Sequence, residues 1–210
     1  MTDFKYLYFL TKVDGLGAIR IKKLLETYGN AKNVFDLTAQ EIIKNEGLSH
    51  KTAESIVSSK SSFDIYEKEY LLLLEMLDKK DISVVTIEDK DYPVILSKIY
   101  DPPVFLYYRG KLQEGKSFND TLLNSIGIVG TRKPTDYGKN ISEMFAKELS
   151  SLGINIISGF ARGVDTAVHK AVIDNKDAKG ITAAVFGNGV DVIYPPENKS
   201  CTTKCWKMDY

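Results

Sequence analysis

The sequence predicts an α/β protein: a Rossmann-like, doubly wound parallel sheet, incomplete on its C-terminal side, preceded by a small all-helical domain. Three observations carry that reading. Apolar side chains fall at helical spacing through the first 80 residues. From residue 126 the chain alternates strand, helix, strand, helix, strand, with glycine at each strand end. The composition, 43% apolar with 28 basic and 28 acidic side chains in 210 residues, is that of an ordinary folded chain and excludes disordered, collagenous or coiled-coil classes. The formal net charge is zero, so any attraction to a polyanion must come from local basic groups rather than from the field of the whole protein.

In the helical domain, residues 1–80, Ile19, Leu24, Leu25 and Tyr28 mark a helix that Gly29 stops. A second helix is expected from about Ala39 to Asn45. Ser49 is placed to N-cap a helix through Ala53, Ile56 and Val57, and Ser61 or Ser62 opens a longer one through Tyr66, Tyr70, Leu73 and Leu77. Around Asp81 the pattern changes to the extended runs Ile82 to Ile87 and Val104 to Tyr108, punctuated by Pro93, Pro102 and Pro103. The domain boundary is expected there, with residues 81–121 as a lead-in that ends in a polar stretch from Gln113 to Thr121. Ile126 to Val129 is apolar and β-branched, as in a strand covered on both faces of a parallel sheet. Thr135 caps the next helix, whose apolar positions are Ile141, Met144, Phe145, Leu149 and Leu152, and Gly153 ends it. A buried strand from Ile154 to Ile157, a helix from about Val164 to Ile173 and a third strand from Ile181 to Phe186 complete the series, with right-handed crossovers.

Ligands of such sheets bind beyond the carboxyl ends of the strands, so the loops there hold the informative residues. After the first strand comes Gly130-Thr131-Arg132-Lys133-Pro134-Thr135. Glycine lets a backbone approach an anion, and the following helix N-terminus directs unpaired N–H groups outward. Arg132 adds a fork for two phosphate oxygens and Lys133 a point charge. Alone, the loop also reads as a tight turn with two solvated charges. After the second strand, Ser158-Gly159-Phe160-Ala161-Arg162-Gly163-Val164-Asp165 repeats the design, and two adjacent loops of this kind make an anion pocket. Asp165 fits a structural carboxylate at a helix start, and His169 reads as packed or solvated. After the third strand come Gly187-Asn188-Gly189 and Tyr194-Pro195-Pro196-Glu197-Asn198, whose glycines leave room for a ligand.

Other chemistries are not legible. No segment reads as the dinucleotide fingerprint or a Walker loop, and no nucleophile, metal box or paired acids stand out, so neither a cofactor nor catalysis is expected. Cys201 and Cys205, the two cysteines, read as free thiols. Asp3 and Lys5 interrupt the start where a secretory signal needs an apolar core. The run Tyr70 to Leu77, broken by Glu75, falls far short of the roughly 20 residues of a membrane span. A cytoplasmic protein with no membrane partner is expected. Gly15-Leu16-Gly17 followed by Ile21, Leu24 and Leu25 resembles a helix-hairpin-helix, with Gly47-Leu48-Ser49 as a weaker second copy. Such a turn can offer backbone N–H groups to DNA, and equally it joins many packed helices in a SAM-like domain.

Together, Ile128 to Thr135, Tyr137-Gly138, Ser158 to Ala167 with His169, and Tyr194 to Asn198 resemble the DNA-processing protein A family (DprA, also called Smf) in order and spacing. Asp91-Tyr92-Pro93, Leu96 and Asp101-Pro102-Pro103 through Leu106-Tyr107 and Gly110 are similar to its lead-in segment. The resemblance implies a non-enzymatic protein that binds single-stranded DNA in natural transformation, protects incoming strands and helps load the recombinase RecA onto them. Position by position it implies that Arg132 and Arg162 contact the DNA backbone, with Lys133, Gly130, Thr131, Ser158, Gly159 and Gly163 in the surrounding turns. After Asn198 no family pattern is recognised, so residues 200–210 are expected to be an aberrant tail of a truncated or frameshifted chain, leaving an open strand edge. The family's homodimer and RecA surfaces fall largely in the part without a match. Two other readings stay open. One is a nucleotide-binding enzyme of the phosphoribohydrolase type, against which stands the lack of a P-G-G-x-G-T segment. The other is an inactive truncated product.

Overall fold

The computed structural model describes residues 4–44, 48–110 and 118–201, and the backbone of 206–209. The chain divides into two compact units: residues 1–81 with 86–105, and residues 82–85 with 106–210.

The first unit is built on α1 (Lys5–Lys12), α2 (Ala18–Tyr28), α3 (Ala31–Asp36), α4 (Ala39–Ile43), α5 (His50–Ser59), α6 (Phe63–Lys79) and the short α7 (Val94–Ser97). Its caps follow local chemistry. Gly29 ends α2 at φ +91° and donates its N–H to Leu25 O at 2.7 Å. Thr38 and Glu41 form a reciprocal capping box on α4, and Ser49 accepts from Thr52 N–H at the start of α5. A 3₁₀ turn over Lys60–Ser62 precedes α6, and Ser62 occupies its N-cap without a side-chain bond. The core is aromatic: Phe9, Phe35 and Phe63, from α1, α3 and α6, meet with ring centroids 4.7 to 5.6 Å apart. Leu7, Leu10, Ile21, Leu24 and Val34 are fully buried with Phe9.

The second unit holds a six-stranded sheet formed by β1 (Ser83–Thr86), β2 (Phe105–Arg109), β3 (Ser125–Gly127), β4 (Asn155–Ser158), β5 (Thr182–Val185) and β6 (Trp206–Asp209), in the order β1-β2-β6-β5-β4-β3. Strands β3, β4, β5 and β6 run parallel, with Ile126 opposite Ile156 and Ile156 opposite Thr182, whereas β2 pairs antiparallel with β6. The sheet is therefore mixed rather than wholly parallel. Helices α9 (Asp136–Ser151) and α10 (Val164–Ile173) pack on each other and on β4, so they share one face. Ala146, Ile156, Val164, Val168 and Val172 form the core between them.

Residues 118–121, expected in the polar stretch from Gln113 to Thr121, belong to the short helix α8 (Phe118–Leu123), anchored by the buried Phe118 and Thr121; residues 113–117 lie outside the described residues. The strand at Ile126 is not covered on both faces, because β3 is the sheet edge, and Ile126 and Val129 are 44% and 73% exposed. For the same reason the apolar stripe of α9 is covered only in part. Ala146 and Ser150 are buried, while Met144, Phe145 and Leu152 face solvent. Residues 206–209, expected in an aberrant tail, form β6 between β2 and β5, so the edge expected to be open beside β5 is paired. Cys201 is a buried free thiol and Cys205 lies outside the described residues. No helix among the described residues is long and apolar enough to cross a membrane.

The N-cap of α9 gives a simple test of the helix boundary. Thr135 Oγ1 accepts from Gly138 N–H at 3.2 Å. Thr135→Ala should cost about 1 kcal/mol and lower the thermal midpoint by roughly 2–4 °C; an unshifted melt would mean that this cap contributes nothing.

Candidate nucleic-acid interface

The loops after β3 and β4 are packed directly against each other, and that packing explains most of their small residues. A Cβ on Gly130 would lie 2.7 Å from Val164 Cγ2. A Cβ on Gly163, which sits at φ +83°, would lie 2.3 Å from the carbonyl oxygen of Thr131. Val164 N–H donates to that same carbonyl at 3.2 Å, and the buried Ser158 hydroxyl donates to Ile128 O at 2.6 Å. Glycine is therefore required at Gly163 because one backbone rests on the other, and at Gly130 because the Val164 side chain fills the space a Cβ would take.

The second loop is held from beneath. Phe160 takes the left-handed conformation at φ +60°, and its ring is buried against Phe186 and His169. Asn198, fully buried, donates through Nδ2 to Phe160 O at 2.9 Å and exchanges hydrogen bonds with the Thr166 hydroxyl. Asp165 Oδ2 accepts from Ala161 N–H at 3.2 Å, tying the loop to the first turn of α10. His169 is fully buried, with Nδ1 2.7 Å from Thr182 Oγ1, and burial pushes its pKa down to about 4.

On this support the loops after β3, β4 and β5 surround a concavity of about 240 Å³ lined by Arg132, Gly159, Ala161, Arg162, Gly187, Asn188, Tyr194 and Pro195. Of the residues singled out in the sequence, Arg132, Gly159 and Arg162 line it. Gly130, Ser158 and Gly163 hold the two loops together. Thr131 and Lys133 lie on the exposed first turn, where Thr131 Oγ1 accepts from Lys133 N–H at 3.2 Å. Arg132 has no ion-pair partner among the described residues. Arg162 does: its Nε and Nη2 both engage the carboxylate of Glu197. The pair holds Glu197 below the usual carboxylate range and raises Arg162 further.

Sequence reasoning missed Tyr194, 62% exposed at the mouth, and Glu197 as the partner of Arg162. Both lie in the Tyr194 to Asn198 run, whose resemblance to the family was the available signal. A second concavity, about 510 Å³, lies in the helical unit beside the Gly15 to Gly17 turn and is lined by Ile19, Arg20, Lys23 and Tyr100. In the weaker second turn, Gly47 lies outside the described residues, and Ser49 serves as the cap of α5. No cluster of three or more metal-ligating side chains occurs among the described residues.

A mixed α/β unit whose adjacent strand-end loops bring two arginines to one concavity has a layout chemically suited to an anion. The comparisons agree with the fold and show the family. The family described as DNA recombination-mediator protein A matches residues 83–209, through β6. This chain belongs to that family. It is 32% identical over 201 residues to Protein Smf of Synechocystis sp., covering 95% of this chain and 48% of that protein. It is 42% identical over 123 residues to DNA processing protein DprA of Bacillus subtilis, covering 57% of this chain and 38% of that protein. The X-ray structure of DprA from Streptococcus pneumoniae superposes with a TM-score of 0.69 at 28% identity, over 100% of this chain and 68% of that one. The chain thus spans about half or less of the length of these two curated relatives.

Proposed function

We propose that this chain is a non-enzymatic, cytoplasmic single-stranded DNA-binding protein that protects incoming strands and helps load RecA in natural transformation. The observation that carries the reading is the convergence of Arg132 and Arg162 on one concavity, with the exposed ring of Tyr194 beside them. A single strand offers a row of phosphates for guanidinium forks and unpaired bases for an aromatic face. Parallel β3, β4 and β5, taken as one half of a doubly wound Rossmann-like sheet, set this site at their carboxyl ends. The DNA-processing names of the relatives support the same substrate class. His169, bonded to Thr182 in the core, is not offered to the concavity as a base, which favours binding over catalysis.

The test is anisotropy of labelled oligothymidine against salt, with wild type and Arg132→Ala/Arg162→Ala. Wild-type affinity should fall with salt and be indifferent to base sequence. The double variant should bind about 10- to 100-fold more weakly, with a salt slope shallower by about 1.4, two phosphates at 0.7 each. Salt-insensitive binding, or a double variant that binds normally, would overturn the proposal.

A further inference from the structure

Arg132 and Arg162 line the same concavity but are not in the same state. Arg132 is without an ion-pair partner among the described residues, whereas both oxygens of Glu197 occupy the fork of Arg162. A carboxylate taken side-on by Nε and Nη2 uses the donors that a phosphodiester would use. The two cannot be held in that fork together. The paired side chains are 54% and 48% exposed, so the pair is solvated, and such pairs are worth little. Glu197 is nonetheless on the spot: it is the second residue of a 3₁₀ turn over Pro196–Cys201, which the buried Asn198 ties to the second loop.

We infer that Glu197 is a built-in competitor for Arg162, which limits how tightly this site holds a nucleic-acid strand. The inference rests on the single-strand reading above and adds an affinity-limiting residue to it. A lone phosphate settles on Arg132 and gains little from Arg162, since each new contact there costs the existing one. A strand that has placed one phosphate on Arg132 presents the next at high effective concentration, so the exchange at Arg162 becomes intramolecular. Glu197 is thus a positioning residue that acts through Arg162 and raises the chain length at which binding becomes firm.

The experiment compares wild type, Glu197→Gln, Arg162→Ala and the double variant, each binding deoxythymidine monophosphate and a long oligothymidine. Glu197→Gln keeps the shape and removes the charge; Glu197→Ala removes both, and melting curves establish that each variant is folded. Both Glu197 variants should bind the long oligothymidine about three- to fivefold more tightly, as expected for freeing an exposed ion pair. The gain for the mononucleotide, which settles on Arg132 without displacing Glu197, should be smaller, and the gain for either ligand should vanish in the Arg162→Ala background. Equal or weaker binding by both Glu197 variants would overturn the inference and mean that the carboxylate holds Arg162 in its binding pose. If Arg162→Ala alone leaves oligothymidine binding unchanged, the single-strand reading itself falls. If it weakens binding while the Glu197 variants match wild type, only the competitor role is lost.

Discussion

Gly163→Ala should damage both stability and DNA binding, by more than any single change of an exposed charge at the rim. Gly163 is the N-cap of α10, at φ +83° and ψ −123°, a backbone region that a side chain makes costly. Conformation is only part of the penalty. The added Cβ would lie 2.3 Å from Thr131 O and 2.7 and 2.8 Å from Arg132 C and Cα, all backbone atoms that cannot rotate aside. The loops must separate, which strains the Val164 N–H to Thr131 O bond and shifts Arg132 away from Arg162. Backbone strain of 1–3 kcal/mol plus one lost hydrogen bond gives about 3 kcal/mol, or a fall of roughly 6–12 °C in thermal midpoint. Gly127→Ala is the matched control, since its Cβ would meet nothing within 4 Å and it does not line the concavity. A Gly163→Ala protein that melts with wild type would show that the loops do not touch as described.

That glycine illustrates what a sequence discloses and what it withholds. Caps are local, so Gly29, Ser49 and Thr135 could be placed from their neighbours alone. Strands β4 and β5 were legible because burial on both faces leaves a continuous apolar run. The same rule failed for Ile126 to Val129, because an apolar β-branched run does not say which strand ends the sheet. The aromatic core of Phe9, Phe35 and Phe63 joins three helices across 54 residues of chain (63 − 9), a separation that periodicity cannot bridge. Strand β6 escaped notice because four residues with no internal pattern become a strand only through the partners β2 and β5. At the site, both arginines were legible as loop cations. Their difference was not, since it depends on a carboxylate 35 residues away in sequence. Gly130 and Gly163 were read as turns of a phosphate pocket; the atoms that crowd them in the structure belong to Val164 and to the Thr131–Arg132 backbone.

Acidification from pH 7 to about pH 4 should destabilise the protein through His169 before the carboxylates contribute. The ring is fully buried, its Nε2 has no hydrogen-bond partner among the described residues, and burial holds its pKa at about 4. In the unfolded chain the same group titrates near 6.5. The folded pKa is thus the lower one, so between these values the unfolded state binds more protons and stability falls as pH falls. The loss begins near pH 6.5 and levels off below the folded pKa; at 1.36 kcal/mol per unit it reaches about 3 kcal/mol. Glu41 and Glu197, both held below the usual carboxylate range, also lose stabilisation in acid, but only below their unfolded values near 4.5. Glu88, raised by burial, acts in the opposite sense. All three carboxylates are shared by a His169→Gln variant, so they cancel in the difference between the two proteins. Urea unfolding at a series of pH values should show that difference changing steadily between pH 6.5 and pH 4.5, the wild type losing the more. Parallel curves over that interval would mean that the ring is protonated as readily in the folded protein as in the unfolded one.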